Sequence, residues 1–174
     1  MEIETKLIVD NLEFVEEKLK ENNAREIYDR EEENIYYARP GEDVFDLRIR
    51  FFEDKAIITY KGKHDTKSNI KQREEIEIST ADTENSIKLI EALGYKEVLR
   101  YKKHRKAFFL ENAEVTLDTI TKVGTYVEIE SAVAENIPYV KKLLGLELAK
   151  VEQRSYFEIM QDAIKNEPQT NVYE

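Results

Sequence analysis

The sequence predicts an α+β domain in which about seven or eight antiparallel strands form one sheet, with amphipathic helices packed against its apolar face. The first observation is a period of two. In residues 44–52 the odd positions carry Phe, Leu and Ile, whereas the even positions include Asp and Arg. The second is that apolar residues recur at helical intervals in shorter segments. The third is composition, because 41% apolar and 37% charged residues with five Gly and three Pro are typical of a folded chain.

Strands are predicted wherever the period of two persists, and turn residues separate them. Ile58 and Tyr60, for example, alternate with Thr59 and Lys61, and Glu111-Asn112 is predicted as a hairpin turn. The strands are expected at residues 1–9, 25–39 (as one strand or two), 44–52, 55–63, 72–79, 97–110, 114–118 and 126–132.

Four helices are predicted from apolar stripes between start and stop signals. Ser155 and Glu158 have the spacing of a capping box, and Asp10 has a similar acidic partner three residues later. Gly94 and Gly145 are typical helix stops. The helices are expected at residues 10–22, 82–94, 136–145 and 155–164.

The composition also limits the compartment and the partners. The net charge of −10 predicts a surface that repels nucleic acid and anionic lipid, and the absence of Cys excludes disulfides and thiolate metal sites. No apolar run approaches transmembrane length, and the first residues are typical of a charged strand, not of a signal peptide. We therefore expect a cytoplasmic protein without nucleic-acid or membrane partners. Residues 1–165 are predicted to form a single domain and residues 166–174 a loose tail.

The charged residues of the predicted strands collect on one face of the sheet. The acids on this face are Glu2, Glu4, Glu75, Glu77, Asp118, Glu128 and Glu130. The bases are Lys6, Arg48, Arg50, Lys61, Lys63, Arg73, Lys103 and Arg105. If the strands close into a barrel with helices outside, this face points inward, and it must then be wet, internally paired and occupied by a polyanion with a metal ion. The alternative is an open sheet with a solvated charged face, and the strand pattern by itself leaves both open.

Glu2, Glu4 and Lys6 show the chemistry that such an interior would need. Carboxylates at i and i+2 lie on one side of a strand and can hold a hard divalent cation such as Mg²⁺ or Mn²⁺. Lysine and arginine side chains from several strands suit a chain of phosphates. Acids among them would repel phosphate unless they hold a cation that bridges phosphate oxygens. Read alone, these first residues are more typical of a water-facing strand.

The N-terminal Glu2-x-Glu4-x-Lys6 resembles the ExExK signature of the CYTH superfamily, also called triphosphate tunnel metalloenzymes. Further segments resemble the family's motifs in the same order, over residues 1–160. They are Ile35-Tyr36-Tyr37, Leu47-Arg48-Ile49-Arg50, Thr59-Tyr60-Lys61-Gly62, Arg73-x-Glu75-x-Glu77, Lys102-Lys103-His104-Arg105, Thr116-Leu117-Asp118, Gly124-x-x-Val127-Glu128-Ile129-Glu130 and Ser155-Tyr156-Phe157-Glu158. Asn34 departs from the pattern, since an acid is common there. The resemblance implies an eight-stranded antiparallel β-barrel, the triphosphate tunnel, with covering α-helices.

The resemblance also implies roles for individual residues. Metal ligands would be Glu2, Glu4, Asp118, Glu128 and Glu130, and phosphate-binding bases would be Lys6, Arg48, Arg50, Lys61, Arg73, Lys103 and Arg105. Tyr36 and Lys61 match positions that handle protons in some hydrolytic members, so they are the catalytic candidates. Glu75, Glu77 and Lys63 join the metal and phosphate sets because they share the charged face.

The reaction stays open between two chemistries that use the same site. The terminal Ser-Tyr-Phe-Glu motif and the length resemble the class IV adenylyl cyclases, which convert ATP to cyclic AMP and pyrophosphate. Inorganic or thiamine-type triphosphatases are the alternative enzyme, and a non-catalytic nucleotide or polyphosphate sensor is the third candidate. Mg²⁺ or Mn²⁺ is the expected cofactor, and ATP or inorganic or thiamine triphosphate the expected small-molecule partner.

Three further side-chain groups have two interpretations each. His64 falls in a polar loop and His104 lies out of phase with Lys103, so both histidines are expected at the surface and not as general bases. Tyr36 and Tyr37 are adjacent and must point to opposite faces, one in packing and one in the tunnel. The apolar stripe of the third helix either covers the sheet or forms a homodimer surface.

Overall fold

The computed structural model describes residues 3–41, 47–61 and 75–166, except for the side chains of Lys61 and Glu75. Within these ranges no helix is both long and apolar enough to cross a bilayer. The elements, in chain order, are β1 (Ile3–Ile8), α1 (Leu12–Glu21), β2 (Arg25–Ala38), β3 (Leu47–Phe52), β4 (Lys55–Lys61), β5 (Glu75–Thr80), α2 (Thr83–Ala92), β6 (Lys96–Leu110), β7 (Ala113–Ile120), β8 (Gly124–Ser131), α3 (Asn136–Leu143) and α4 (Tyr156–Asn166).

The eight strands form one sheet in the order β1-β8-β7-β6-β2-β3-β4-β5, and all its ladders are antiparallel. The predicted α+β fold with eight antiparallel strands is therefore confirmed. Among the described residues β1 and β5 are the two end strands, with no ladder between them. The segment predicted as one strand or two is the single strand β2, which pairs with both β3 and β6.

Three helices cover the apolar face of the sheet, as predicted. Val15 and Leu19 of α1 and Val140 of α3 pack with apolar side chains of β1, β6, β7 and β8. Ile90 of α2 packs over β2, β3 and β4 in a second cluster. Val140 and Leu144 are fully buried in the first cluster, so this stripe covers the sheet; a homodimer stays a prediction.

The fourth helix lies on the other face of the sheet. Tyr156, Phe157 and Ile159 pack against five side chains that share strand parity with the charged residues, namely Tyr36, Leu99, Tyr101, Ile120 and Tyr126. Three of the four predicted helices therefore cover the apolar face, and α4 packs on the charged face instead. The physical reason is that the charged face is aromatic and aliphatic at this end, and it offers α4 an apolar surface.

The chain reaches this position along the free edge of β1. Val151 bridges to Leu7, while the Ile8 N–H donates to the Lys150 carbonyl at 2.9 Å and the Glu152 N–H donates to the Lys6 carbonyl at 2.8 Å. β8 pairs with one edge of β1, and residues 150–152 thus pair with part of the opposite edge.

The helix starts agree with the capping predictions in one case and differ in another. Before α4, the Ser155 N–H donates to Glu158 Oε2 at 2.7 Å and the Glu158 N–H donates to Ser155 Oγ at 3.3 Å, which confirms the capping box. Before α1, the predicted cap Asp10 is wrong, because Asn11 Oδ1 accepts from the Phe14 N–H at 3.0 Å. Both residues are good caps, and the register of the helix decides between them.

Candidate functional site

A chain of alternating charges crosses six adjacent strands on the face opposite the three covering helices, and we call this the charged face. It runs through Arg50, Glu32, Lys103, Asp118, Arg105, Glu128 and Lys6. Successive N–O distances are 3.4 Å from Arg50 to Glu32, 3.9 Å from Glu32 to Lys103, and 3.1 Å from Lys103 to Asp118. They continue at 2.6 Å from Asp118 to Arg105, 2.5 Å from Arg105 to Glu128 and 3.4 Å from Glu128 to Lys6.

Asp118 accepts hydrogen bonds from three side chains of the site. Arg105 Nε donates to its Oδ1 at 2.6 Å, while Lys103 Nζ at 3.1 Å and the Tyr156 hydroxyl at 2.6 Å donate to its Oδ2. Burial raises the pKa of the Asp118 carboxyl, but Arg105 and Lys103 outweigh burial and hold the pKa well below its usual range. Asp118 is therefore a fixed anion that holds two bases together.

Lys103 has the opposite balance. Its side chain is 2% exposed. Burial, and next the neighbouring Arg105, lower the pKa of Lys103 to about 7, against the attraction of Asp118 and Glu128. An anion such as a phosphate beside Lys103 would favour its charged form. A bound anion would therefore stabilise the charged ammonium group of Lys103.

Glu128 lies at the next step of the chain. Burial raises the pKa of its carboxyl, but Lys6 and Arg105 lower it to about 2. Like Asp118, this acid is ionised and engaged by bases at neutral pH.

Five of the predicted phosphate-binding bases lie together on the charged face. Lys6, Lys103 and Arg105 are in the chain just described, with Arg50 at its far end. Arg48 is buried next to it, where Nη2 donates to Thr59 Oγ1 at 3.2 Å and lies 3.7 Å from Glu77 Oε1. Lys61 belongs to β4, but its side chain, like Lys63 and Arg73 altogether, lies outside the described residues.

The predicted metal ligands are divided between two environments. Asp118 and Glu128 are engaged by bases, and Glu77 accepts from Thr59 Oγ1 at 2.7 Å. Glu4 and Glu130 lie directly opposite each other on β1 and β8. Glu2 and the side chain of Glu75 fall outside the described residues. In the described ranges, no three His, Cys, Asp or Glu side chains come close enough together to hold a metal ion.

Glu4 and Glu130, paired across β1 and β8, supply oxygen donors of the kind that a hard divalent cation takes. The register places Glu4, Glu130 and Glu114 in one row across β1, β8 and β7. Carboxylate oxygens are the ligands of Mg²⁺ and Mn²⁺. At Asp118 a cation would have to displace bases that already occupy both oxygens.

Both catalytic candidates belong to strands of the site. Tyr36 lies on the charged face, buried and stacked on Tyr101 with ring centroids 6.3 Å apart, whereas Tyr37 packs in the apolar cluster under α2. The expectation that the two tyrosines face opposite ways is confirmed. His104 is 44% exposed and pairs with Asp29 at 2.6 Å, so its predicted surface position is also confirmed. His64 falls outside the described residues.

Two residues of the site were missed by the sequence reasoning. Glu32 is buried and pairs with Arg30, Arg50 and Lys103; its even parity with Tyr36 along β2 was the available signal. Tyr156 was noted only as part of a terminal motif, and no pattern in the sequence shows that its hydroxyl reaches Asp118.

Comparisons with known proteins show what the chain and its fold are similar to. A protein from Methanocaldococcus jannaschii named "Putative adenylate cyclase" is 28% identical over 172 residues, which cover 91% of this chain and 98% of the relative. A solved structure from Pyrococcus horikoshii is 30% identical with a TM-score of 0.78, covering 91% of this chain and 99% of that one. An adenylyl cyclase-like structure from Hippeastrum, whose description reports a dominant triphosphatase activity, is 16% identical with a TM-score of 0.68 over 94% and 96% of the two chains, and it shows the fold alone.

The family comparison covers most of the chain. The model of the CYTH domain matches residues 1–156. Its match begins at the acidic β1 segment and ends at Tyr156, the residue that joins α4 to the charged face. The chain belongs to the CYTH family.

Proposed function

We propose that this chain binds the triphosphate of a small molecule on its charged face together with Mg²⁺ or Mn²⁺, and that it converts ATP to cyclic AMP and pyrophosphate. The observation that carries the proposal is the buried chain of charges from Arg50 to Lys6. In a protein with a net charge of −10, bases outnumber acids along this chain. Such a local excess of bases is favourable when a polyanion adds the missing negative charge.

The geometry of the bases suits a linear run of phosphates. Arg50, Lys103 and Lys6 belong to β3, β6 and β1, so they are spread across the sheet and not gathered at one point. Arginine binds phosphate oxygens through a fork of N–H donors and lysine through a point charge. Asp118 and Glu128 hold Lys103, Arg105 and Lys6 in place between these contacts.

A divalent cation is part of the proposal, with Glu4 and Glu130 as the residues that would hold it and with Glu2 as the predicted third ligand. Bound there, the cation would neutralise charge on the phosphate oxygens during transfer. We expect Glu4→Gln to weaken Mn²⁺ binding and to lower turnover by at least tenfold, while thermal unfolding stays close to wild type. A variant that binds Mn²⁺ and turns over like wild type would contradict this assignment.

In the cyclisation, the ribose 3′-oxygen of ATP attacks the α-phosphorus and the bond from that phosphorus to the bridging oxygen of the β-phosphate breaks. The proton of the 3′-hydroxyl passes to a general base, for which Lys61 and Tyr36 remain the candidates. The lysine and arginine side chains of the charged face bind the pyrophosphate as it leaves. Alignment of the hydroxyl and stabilisation of the transferring phosphoryl charge supply most of the rate in such reactions.

Hydrolysis of a triphosphate is the second candidate. It is favoured by the Hippeastrum neighbour, whose description names a dominant triphosphatase activity. In hydrolysis a water attacks the terminal phosphorus, one of its protons passes to a base or to solvent, and the bond from that phosphorus to the bridging oxygen breaks, so that orthophosphate forms and the diphosphate leaves. The same bases would serve both reactions, so the nucleophile that is seated beside the phosphates decides between them.

One assay separates the candidates. Purified protein is incubated with Mg²⁺ or Mn²⁺ and with ATP, inorganic triphosphate or thiamine triphosphate, and cyclic AMP, pyrophosphate and orthophosphate are quantified. Equal amounts of cyclic AMP and pyrophosphate from ATP support the proposal. Orthophosphate from inorganic or thiamine triphosphate without cyclic AMP supports hydrolysis, and tight binding without any product supports the sensor.

A further inference from the structure

We propose that Tyr156 is a positioning residue for Lys6 and Lys103, so that helix α4 is part of the phosphate-binding site and not only a packing element. The inference rests on the proposed function, because it concerns how two of the proposed phosphate-binding lysines are held. The terminal motif by itself gives Tyr156 no such role.

The ring of Tyr156 contacts both ammonium groups. Lys6 Nζ lies 3.9 Å and Lys103 Nζ 4.6 Å from the ring centroid. A cation over the face of an aromatic ring is attracted by its quadrupole, and the attraction is larger where water is excluded. Tyr156 and both lysines are buried. One ring therefore fixes the position of two lysines that come from β1 and β6.

The hydroxyl of Tyr156 adds a contact to the anion between the bases. It donates to Asp118 Oδ2 at 2.6 Å, the oxygen that also accepts from Lys103 Nζ at 3.1 Å. Tyr156, Lys103 and Asp118 thus form a closed set of contacts. The ring constrains the lysine from one side and the carboxylate from another.

Hydrogen bonds and ion pairs hold the backbone next to Tyr156 in place. Lys6 Nζ donates to the Arg154 carbonyl at 3.1 Å. Arg154 in turn pairs with Glu152 at 2.5 Å and with Asp162 of α4 at 2.9 Å. Residues 150–152 are hydrogen-bonded to the edge of β1, so the segment that leads into α4 is anchored before it reaches Tyr156.

The arrangement predicts the direction from which phosphate binds. The ring covers one side of each ammonium group, and Asp118, Glu128 and the Arg154 carbonyl take further N–H directions. Phosphate oxygens must then contact Lys6 and Lys103 on the side away from α4. Loss of the ring would let both lysines adopt other rotamers, which weakens ground-state binding of the phosphates more than it slows the chemical step.

The test compares Tyr156→Met, Tyr156→Phe and Tyr126→Leu with wild type. Tyr126 is the matched control, because its ring packs edge-on against Tyr156 at 5.5 Å in the same cluster, whereas among the described residues the ammonium groups of Lys6 and Lys103 lie over Tyr156 and not over Tyr126. We measure KM and kcat for the triphosphate that wild type turns over, and the dissociation constant of inorganic triphosphate by calorimetry. Thermal unfolding is followed for each variant.

We expect Tyr156→Met to raise KM and the dissociation constant about tenfold while kcat changes by less than about threefold. Tyr156→Phe keeps the ring and should restore KM to within about twofold. Tyr126→Leu should lower the unfolding temperature without raising KM. Equal increases of KM in Tyr156→Met and Tyr126→Leu, or no increase in Tyr156→Met, would overturn the inference.

A second measurement does not depend on the stability of a variant. With ¹³C-labelled lysine, the ε-methylene protons of Lys6 and Lys103 in wild type should show upfield ring-current shifts, and ordinary shifts would overturn the inference. If wild type neither binds nor converts any triphosphate, the proposed function fails and this inference fails with it. If wild type is active and only the Tyr156 results are contrary, the inference alone fails.

Discussion

On the apolar face of the sheet Leu7, Val127 and Ile129 are fully buried beneath α1 and α3, whereas one residue along the same strands Lys6 is buried and Glu128 is only 14% exposed on the charged face. The two faces reach similar burial by different means. Apolar side chains gain free energy from burial one by one. Buried charges lose solvation and recover it only while every partner stays in place.

This difference bears on function. Well-packed apolar residues would stabilise a domain at least as well as a buried ion chain. A face that keeps Lys6, Lys103 and Arg105 buried therefore has a use for charge beyond folding, and binding of a polyanion is such a use. Variants that perturb one face of the sheet test whether the other face responds.

The largest effect is expected for Asp118→Ala. Lys103 and Arg105 would lose their common anion in a buried position, so the free energy of unfolding should fall by about 3–5 kcal/mol. Urea unfolding followed by circular dichroism measures the change. Asp118→Asn is the matched variant, since it keeps the shape and part of the hydrogen bonding. A loss below about 1 kcal/mol in Asp118→Ala would show that the ion chain is not held as described.

Acid should destabilise the fold through the carboxylates of the charged face. The folded-state pKa of Glu128 is about 2, below the ordinary glutamate value of 4.5, and the pKa of Asp118 is lowered as well. A lowered pKa stabilises the fold above the unfolded-state value, and this stabilisation is lost as the pH falls from about 4.5 towards 2.

The free energy of unfolding, measured by urea titration at several pH values, should therefore be steady near neutrality and decline through this acid window. The slope should be smaller in Glu128→Gln, which removes one titrating group. An unchanged slope in that variant would contradict the role given to Glu128.

A smaller effect is expected on the apolar face. Ile129→Val removes one methylene from a fully buried side chain, and the free energy of unfolding should fall by about 0.5–1.5 kcal/mol. Triphosphate binding should not change, because the side chain points away from the charged face. A binding defect comparable with that of a charged-face variant would mean that the two faces are not independent.

The sequence predicted the strands well where one face is apolar. Period two identifies β3, β4, β7 and β8, and it assigns Lys6, Arg105 and Glu128 to one face because their neighbours are apolar. Residues 30–34 are all polar, so they show no alternation of apolar and polar side chains that would indicate which residues lie on the charged face. Glu32 was missed for this reason. Its burial depends on Arg50 and Lys103 from other strands, which no local pattern reports.

Sequence patterns also do not show which face of the sheet α4 packs on, or which partners Asp118 and Glu128 have. An apolar stripe shows that α4 buries one side, but it does not show which face of the sheet receives it. The residue types of Asp118 and Glu128 suit a metal ion and a base equally well, and no sequence pattern shows that Lys103, Arg105 and Lys6 lie beside them. Their role as metal ligands stays a prediction.

Binding of inorganic triphosphate tests the central claim most directly. We would titrate it with Mg²⁺ into wild type, Arg50→Gln and Arg100→Gln by calorimetry. Arg50 can be removed without leaving Glu32 unpaired, since Arg30 lies 2.8 Å and Lys103 3.9 Å from that carboxylate. Arg100 is the matched control, because it loses the same charge but is 45% exposed and pairs with Glu97 and Glu33.

The account predicts one binding site in wild type, at least about tenfold weaker binding in Arg50→Gln, and wild-type affinity in Arg100→Gln. Equal affinity in all three proteins, or no binding in any of them, would contradict a triphosphate site on the charged face.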